Sequence, residues 1–249
     1  MYNWRDFLAT YRKVCCSQCQ HANVKKNGKT RDGQQRYLCQ NNDCSMKTFL
    51  LSEDYVYKGR SHYIEPQIIS QTLRASGIRD VANNLGISCG KVIKTIKAQS
   101  ANIRKSNWNR LFKSQKALLL CVHTQLDEQW SFVGSKANQR WLWVALCQYT
   151  GQVLAFTFGK RTNHSCGRLL KLLKPFNIKC FSTDDWQSYR ACIEAGIHKV
   201  GKRFTQKVER FFLTLRTHIK RLVRKSICFS KSELMHDTVI GLYINKNYF

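Results

Sequence analysis

The chain has 249 residues, 43% of them hydrophobic, and sets 42 Lys and Arg against 15 Asp and Glu for a formal net charge of +27. That apolar fraction excludes global disorder, and no apolar run approaches the roughly 18 residues that a membrane-spanning helix needs. The charge is too large for an ordinary soluble enzyme; it draws the chain to a polyanion, with nucleic acid the commonest partner and an anionic membrane surface the alternative.

The opening Met1-Tyr2-Asn3-Trp4-Arg5-Asp6 has no apolar signal core, so a cytoplasmic location is expected. In that compartment the 12 cysteines are reduced or metal-bound rather than paired in disulfides. Residues 1–56 hold two of the informative pairs, Cys16-Ser17-Gln18-Cys19 and Cys39-Gln40-Asn41-Asn42-Asp43-Cys44. Two Cys pairs, each beside a turn, can place four thiolates in a tetrahedron about one structural zinc. Cys15 is an alternative first ligand, but the gap of two from Cys16 fits a knuckle better. Asn27-Gly28 is expected to form a hairpin turn, with Arg36-Tyr37-Leu38 as the strand leading into the second pair. A segment this small needs such a staple, so residues 1–56 read as a zinc ribbon.

Residues 57–100 are helical in pattern. Pro66 suits a first helical position, and Gln67 to Ser76 follows with Ile68, Ile69 and Leu73 on one face before Gly77. Arg79 to Leu85 is a short second helix, Gly86-Ile87 a tight turn, Ser88 an N-cap and Cys89 to Ala98 a third helix with Val92 and Ile96 inward. Ala82, Leu85, Gly86 and Ile87 fit the corner of a helix-turn-helix. Lys91, Lys94 and Lys97 then face DNA, the bland alternative being a three-helix unit with solvated lysines. Residues 101–116 are basic and polar and read as a linker.

From residue 117 to 249 strands and helices alternate, an α/β pattern. Leu118 to Asp127 reads as a strand that closes at Asp127; Trp141 to Tyr149 and Gln152 to Phe158 form a hairpin about Thr150-Gly151. Asn163 to Leu173 is a helix, Ile178 to Thr183 a strand ending at Asp184, Asp185 to Ala195 a helix and Lys199 to Phe204 a strand. Thr205 to Val223 is expected to be the longest helix, with Val208, Phe212, Leu215, Ile219 and Leu222 as its buried stripe.

Acidic residues are scarce here. Eight occur from Ala117 to Phe249, and none from Gln129 to Thr183. Asp127 precedes that gap, Asp184 follows it, and Glu209 stands alone in Lys199 to Lys231 among 11 Lys and Arg. Two carboxylates at neighbouring strand ends and a third on a packed helix give a ribonuclease-H-like arrangement. Three oxygen ligands of this kind suit Mg²⁺ or Mn²⁺ and phosphodiester chemistry. Taken singly, Asp184 could instead cap the following helix, and Glu209 could pair with Lys202, Lys207 or Arg210. Glu128 and Asp185 are the adjacent rivals; strand alternation puts Glu128 on the face opposite Asp127, so one of the two is expected at the metal.

These residues carry a resemblance. Gln125-Leu126-Asp127-Glu128-Gln129-Trp130, Gln139-Arg140-Trp141, Arg161-Thr162, Thr183-Asp184 with Trp186, Lys202 to Gln206, Val208-Glu209-Arg210 and Phe229 to Ser232 resemble the catalytic part of insertion sequence 1 family transposases, which are DDE-type enzymes. Asn27-Gly28-Lys29, Gln35 to Cys39 and the segment about Ala82 resemble that family's zinc finger and helix-turn-helix. The resemblance implies Asp127, Asp184 and Glu209 as the catalytic triad holding magnesium, and Arg216, seven positions on, as a DNA contact. It implies binding of an element's terminal inverted repeats, 3′-end cleavage and strand transfer by a homo-oligomer on double-stranded DNA in the nucleoid. Phe212 departs from the Asn that the family often has three residues after the Glu. The rival readings are a catalytically silent DNA-binding repressor acting through residues 1–100, and a nuclease or resolvase that does not transpose.

Overall fold

The structure is a computed structural model that describes residues 13–31, 33–46, 48–51, 59, 61, 63–113, 122–201, 204–223 and 225–249. It divides into two compact units, Met1–Ser61 and His62–Phe249.

The first unit is an antiparallel sheet of β1 (Val24–Lys29), β2 (Gln35–Cys39) and β3 (Thr48–Leu50), in that order. Its apolar content is small: Phe49 is buried and its ring lies 5.9 Å from Tyr37. Asn27-Gly28 does not turn the chain. Gly28 has φ +65° inside β1, where the register with β2 slips between Lys26 and Lys29, so the dipeptide makes a bulge. The reversal comes later, where Thr30 N–H bonds Gln34 O at 2.8 Å and Gly33 takes φ +82°.

The second unit is built on a five-stranded sheet ordered β6-β5-β4-β7-β8: β4 (His123–Val133), β5 (Ser135–Cys147), β6 (Val153–Gly159), β7 (Cys180–Thr183) and β8 (His198–Val200). β4, β5 and β6 form an antiparallel meander, while β7 and β8 run parallel to β4. Such parallel pairing requires crossover connections that cover a face. Helices α5 (Asn163–Leu173) and α6 (Gln187–Cys192) supply them, packing Cys166, Leu169, Leu173 and Tyr189 on Leu126, Trp143 and Ala145. On the other face lie α7 (Gln206–His218) and α8 (Glu233–Tyr248), with Val208, Phe212, Leu215, Val239 and Ile240 against Leu142, Val144 and Leu146. With both faces covered, β5 is buried without interruption from Leu142 to Cys147.

Helices α1 (Ile64–Thr72), α2 (Ile78–Leu85) and α3 (Cys89–Ala98) follow the expected sequence of helix, turn and helix. Gly86 adopts the left-handed conformation after α2, and Ser88 Oγ accepts from Lys91 N–H to start α3. Their buried residues Ile68, Val92 and Ile96 belong to the same apolar cluster as α7 and α8. The three helices therefore share a core with the sheet.

Several expectations are corrected. The residues 101–116 do not form a loose connector where they are described. Asn107 Nδ2 donates to Val153 O and Tyr248 O, and α4 (Trp108–Phe112) buries Leu111 and sets Trp108 edge-on to Phe176 at 5.2 Å. Residues 114–121 lie outside the described ones, including the start expected for the first strand. That strand runs on to Val133, so Asp127 sits within it and does not close it. The helix expected to begin at Thr205 ends at His218, although the whole stripe from Val208 to Leu222 is buried. The longer helix is α8, with 16 residues against 13.

Candidate active site

Parallel pairing of β4 with β7 sets Gln125 beside Ser182. Two residues further on each chain stand Asp127 and Asp184, one inside β4 and one immediately past β7. Carboxylate oxygens of Asp127, Glu128 and Asp184 all lie within 4.8 Å of one another. Asp127 Oδ1 accepts from the Glu128 N–H at 2.8 Å, and Asp184 Oδ1 accepts from the Trp186 N–H at 3.2 Å, fixing both side chains at the sheet edge.

The third acid arrives on α7. Gln125 Oε1 accepts from the N–H groups of Lys207 and Val208 at 3.1 and 3.2 Å, tying the helix start to the face of β4 that also carries Asp127. Glu209 is exposed one residue beyond, with Oε1 accepting from Thr205 Oγ1 at 3.2 Å. It borders the cluster without joining its 4.8 Å group, yet its charge is felt there. Burial pushes the Asp127 carboxyl up to about 7, and the charges of Glu128, Asp184 and Glu209 add to the rise while the Glu128 N–H opposes it. Among the described residues Glu209 makes no ion pair; Lys207 Nζ turns instead to Tyr149 O at 2.8 Å. Lys202 lies outside the described residues.

Alternation does send Glu128 to the opposite face. There Arg161 donates to its Oε1 from Nε and a terminal nitrogen, both at 2.7 Å, and Tyr189 Oη donates to Oε2 at 2.5 Å. Burial raises the Glu128 carboxyl, against the lowering pull of Tyr189 and Arg161. But the pleat does not remove it from the cluster as expected, because Asp127 folds back onto the Glu128 backbone. The other rival, Asp185, is exposed and paired outward with Arg190.

Arg161, Tyr189 and Gln125 are site residues that the sequence reading did not single out by chemistry. The Arg161 guanidinium lies 4.9 Å from the Trp141 ring centroid and 4.4 Å from that of Trp186, held between two aromatic faces. A signal existed: a buried Glu at the edge of an acid-free stretch needs a cation, and Arg161 lies within that stretch.

The remaining expected residues are placed as follows. Cys16, Cys19, Cys39 and Cys44 keep their sulfurs within 4.8 Å of one another, with Cys16 Sγ to Cys44 Sγ at 3.8 Å and Cys19 Sγ to Cys39 Sγ at 3.6 Å. A regular tetrahedron with Zn–S bonds of about 2.3 Å has edges of about 3.8 Å, so the donor set fits zinc. Backbone N–H groups of Cys19 and Gln18 lower the Cys16 thiol to about 7. At Cys39 the Asn41 N–H also lowers, but burial and the neighbouring thiols outweigh it and push that thiol up to about 12. Of the three lysines on α3, Lys91 is drawn back by Glu65 of α1 at 2.7 Å. Lys94 and Lys97 are exposed beside Gly90, Ile93 and Ala98. Arg216 is half-buried and donates from Nε to Phe212 O at 3.3 Å. Phe212 itself is buried, its ring 5.8 Å from Phe211. No helix among the described residues is long and apolar enough to cross a membrane.

A family model described as IS1 transposase matches residues 118–249. The insertion element iso-IS1n protein InsB of Shigella dysenteriae is 56% identical over 131 residues, which are 53% of this chain and 98% of that protein. The insertion element IS1 protein InsB of Shigella sonnei is 44% identical over 130 residues, 52% of this chain and 99% of that protein. Among solved structures, the catalytic core domain of BIV integrase matches 49% of this chain and 81% of its own at 16% identity with a TM-score of 0.34. A chain of the simian T-cell lymphotropic virus intasome matches 70% of this chain and 66% of its own at 16% identity with a TM-score of 0.37.

Proposed function

Because the chain belongs to the IS1 transposase family, we propose that it works as a DDE-type polynucleotidyl transferase whose divalent-metal ligands are Asp127, Asp184 and Glu209. One observation carries the site assignment. Carboxylate oxygens of Asp127, Glu128 and Asp184 lie within 4.8 Å of one another, and the charge of Glu209 adds to the rise of the Asp127 carboxyl. Carboxylates crowded to that degree are costly unless a cation neutralises them. The fold, an antiparallel meander with two parallel strands and helices on both faces, is read as ribonuclease-H-like.

A hard divalent ion bound by these oxygens would supply Lewis acidity to a phosphodiester and acidify an attacking water or 3′-hydroxyl. The protein's own part is placement. Gln125 fixes the start of α7 and so the approach of Glu209. Arg161 and Tyr189 hold Glu128 beside the ligand pair. The reaction is hydrolysis at the 3′ end of the element, followed by attack of the freed hydroxyl on target DNA.

The first unit is read as a zinc ribbon and α1–α3 as a helix-turn-helix, together binding the element's terminal inverted repeats. Lys94 and Lys97 are the exposed cations of α3 and serve as its phosphate contacts. Lys91 contributes only after leaving Glu65. Arg216, two helical turns beyond Glu209, is assigned to DNA because the family resemblance implies a basic DNA contact at that position. Joining two ends implies a homo-oligomer on DNA in the nucleoid. A silent repressor built on residues 1–100 would gain nothing from the crowded carboxylates.

The test is cleavage and joining of a DNA substrate carrying the element's ends, with Mg²⁺. Asp127→Asn, Asp184→Asn and Glu209→Gln should each lower both steps by at least about 100-fold while end binding persists. Strand transfer at the wild-type rate by Glu209→Gln would remove Glu209 from the ligand set and leave Glu128 in its place.

A further inference from the structure

Beyond Glu128, among the described residues, the arm formed by β4 and β5 is fully covered on one face and partly on the other. Ser131 and Val133 turn toward α8, are buried, and Ser131 Oγ lies 2.9 Å from His236 Nε2. Trp130 and Phe132 alternate with them and share the face of Glu128. Trp186 and Tyr189 cover that face at Trp143, but Trp130 is 38% exposed and Phe132 half-buried. The Trp130 and Phe132 ring centroids are 5.6 Å apart, and Phe132 is 5.1 Å from Phe229. Phe229 is brought there because Ser230 bridges Val133 and its carbonyl accepts the Gly134 N–H at 2.7 Å. Across the ladder Trp130 pairs with Trp141, which carries Arg161 on its ring. The result is an aromatic stripe that begins two residues, about 7 Å, from Glu128.

Its surroundings are basic. Residues 129–183 and 210–232 contain no Asp or Glu, and the second stretch carries 7 Lys and Arg. Lys136, Lys225 and Lys231 are exposed. An apolar partner protein would not favour this charge, whereas nucleic acid does. Bases inside a duplex are already stacked on one another, so ring faces engage bases at least cost where those have left the helix.

We propose that Trp130, Phe132 and Phe229 form a stacking platform for unpaired bases of the DNA strand next to the bond held at the Asp127–Asp184 cluster. The proposal rests on the DNA-cleaving reading above and adds that the substrate is unpaired locally. Stacking on ring faces tolerates any base, so the platform contributes affinity and not sequence choice.

The experiment compares full-length protein on a blunt DNA duplex and on the same duplex with a four-nucleotide single-stranded overhang containing 2-aminopurine, without divalent metal. The overhang should bind about 10-fold tighter than the blunt duplex, and its fluorescence should be quenched on binding. Trp130→Ala or Phe229→Ala should lower the overhang-to-blunt affinity ratio by about 10-fold, and Trp130→Phe should restore most of it. Quenching in the unsubstituted protein needs no variant and stands even if an alanine variant misfolds. Absence of both quenching and overhang preference overturns the platform, as does an equal loss on both DNAs. A change of oligomeric state in Trp130→Ala with the ratio unchanged also overturns it, assigning the stripe to a second copy of the chain. Because this readout needs no cleavage, failure of the metal-site assignment would show in the triad variants and not here.

Discussion

At Asp127 the charge that a metal ligand needs is the form that folding disfavours. Its carboxyl is raised from 3.8 to about 7, first by burial and then by its acidic neighbours. The unfolded chain gives up this proton near pH 4, the folded chain near 7. Stability is therefore lost as pH rises between those values, by roughly 4 kcal/mol at most, and the loss is complete above about 7. Asp127→Asn should accordingly melt higher than the unsubstituted protein at pH 8 without metal, with the difference vanishing near pH 4. Mg²⁺ should raise the melting temperature of the unsubstituted protein more at pH 8 than at pH 6, where a proton competes for Asp127, and should do little for Asp127→Asn. Thermal melts at the three pH values decide it; an equal Mg²⁺ response at pH 6 and 8 would put Asp127 outside the metal site.

Single elements carry the site through a few anchors. Gln125 is buried and its one oxygen satisfies two N–H groups at the start of α7. Gln125→Met keeps the bulk and removes the acceptor, which should cost about 1–3 kcal/mol. It should also lower strand-transfer rate far more than DNA affinity, since Glu209 loses its register. Equal losses in rate and affinity would make the anchor merely structural. In α8, a methyl on Gly241 would come 2.8 Å from Ile103 Cγ2. Gly241→Ala should therefore destabilise by about 1–3 kcal/mol, and in a denaturant titration it should cost less in an Ile103→Ala background, where the clashing carbons are gone. The same elements show what could be read beforehand. The stripe from Val208 to Leu215 has helical period because α7 buries one face, Ile219 and Leu222 stay buried past its end, and Asp127 and Asp184 frame an acid-free stretch that the sequence displays. The hold on Glu128 leaves only a faint mark, an Arg inside that acid-free stretch, because Arg161 and Tyr189 stand 33 and 61 residues away. Helix α8 escapes periodicity for another reason. Val239, Ile240, Gly241, Tyr243 and Ile244 are all buried, so its apolar residues run around the helix. Asn27-Gly28 states a left-handed backbone but not its use, and a bulge satisfies it as well as a hairpin turn does.

At the scale of the whole molecule each of the two units is stabilised internally by different physics. His62–Phe249 has a sheet covered on both faces and an apolar cluster that α1–α3 share with α7 and α8. Met1–Ser61 has little of this: Phe49 and Cys16 are its buried apolar residues among those described, and four thiols stand where a core would be. On the zinc-ribbon reading, free energy of metal binding would supply what apolar burial does not, as in other small metal-stapled folds. Two metals would thus serve one chain at unrelated places, sulfur ligands for the fold of one unit and oxygen ligands for the chemistry of the other. Removing zinc from the full-length protein with a chelator should abolish hydrogen-exchange protection from Val24 to Leu50 while β4, β5 and α8 stay protected. Specific binding to element ends should fall with it, because the reading gives the first unit a share in that recognition. Adding Mg²⁺ should not restore either, since Mg²⁺ does not take four thiolates. Protection of β1 and β2 that survives complete zinc removal would mean that the four cysteines are bystanders, and that Tyr37, Phe49 and the ladder of β1 to β3 stabilise the unit unaided.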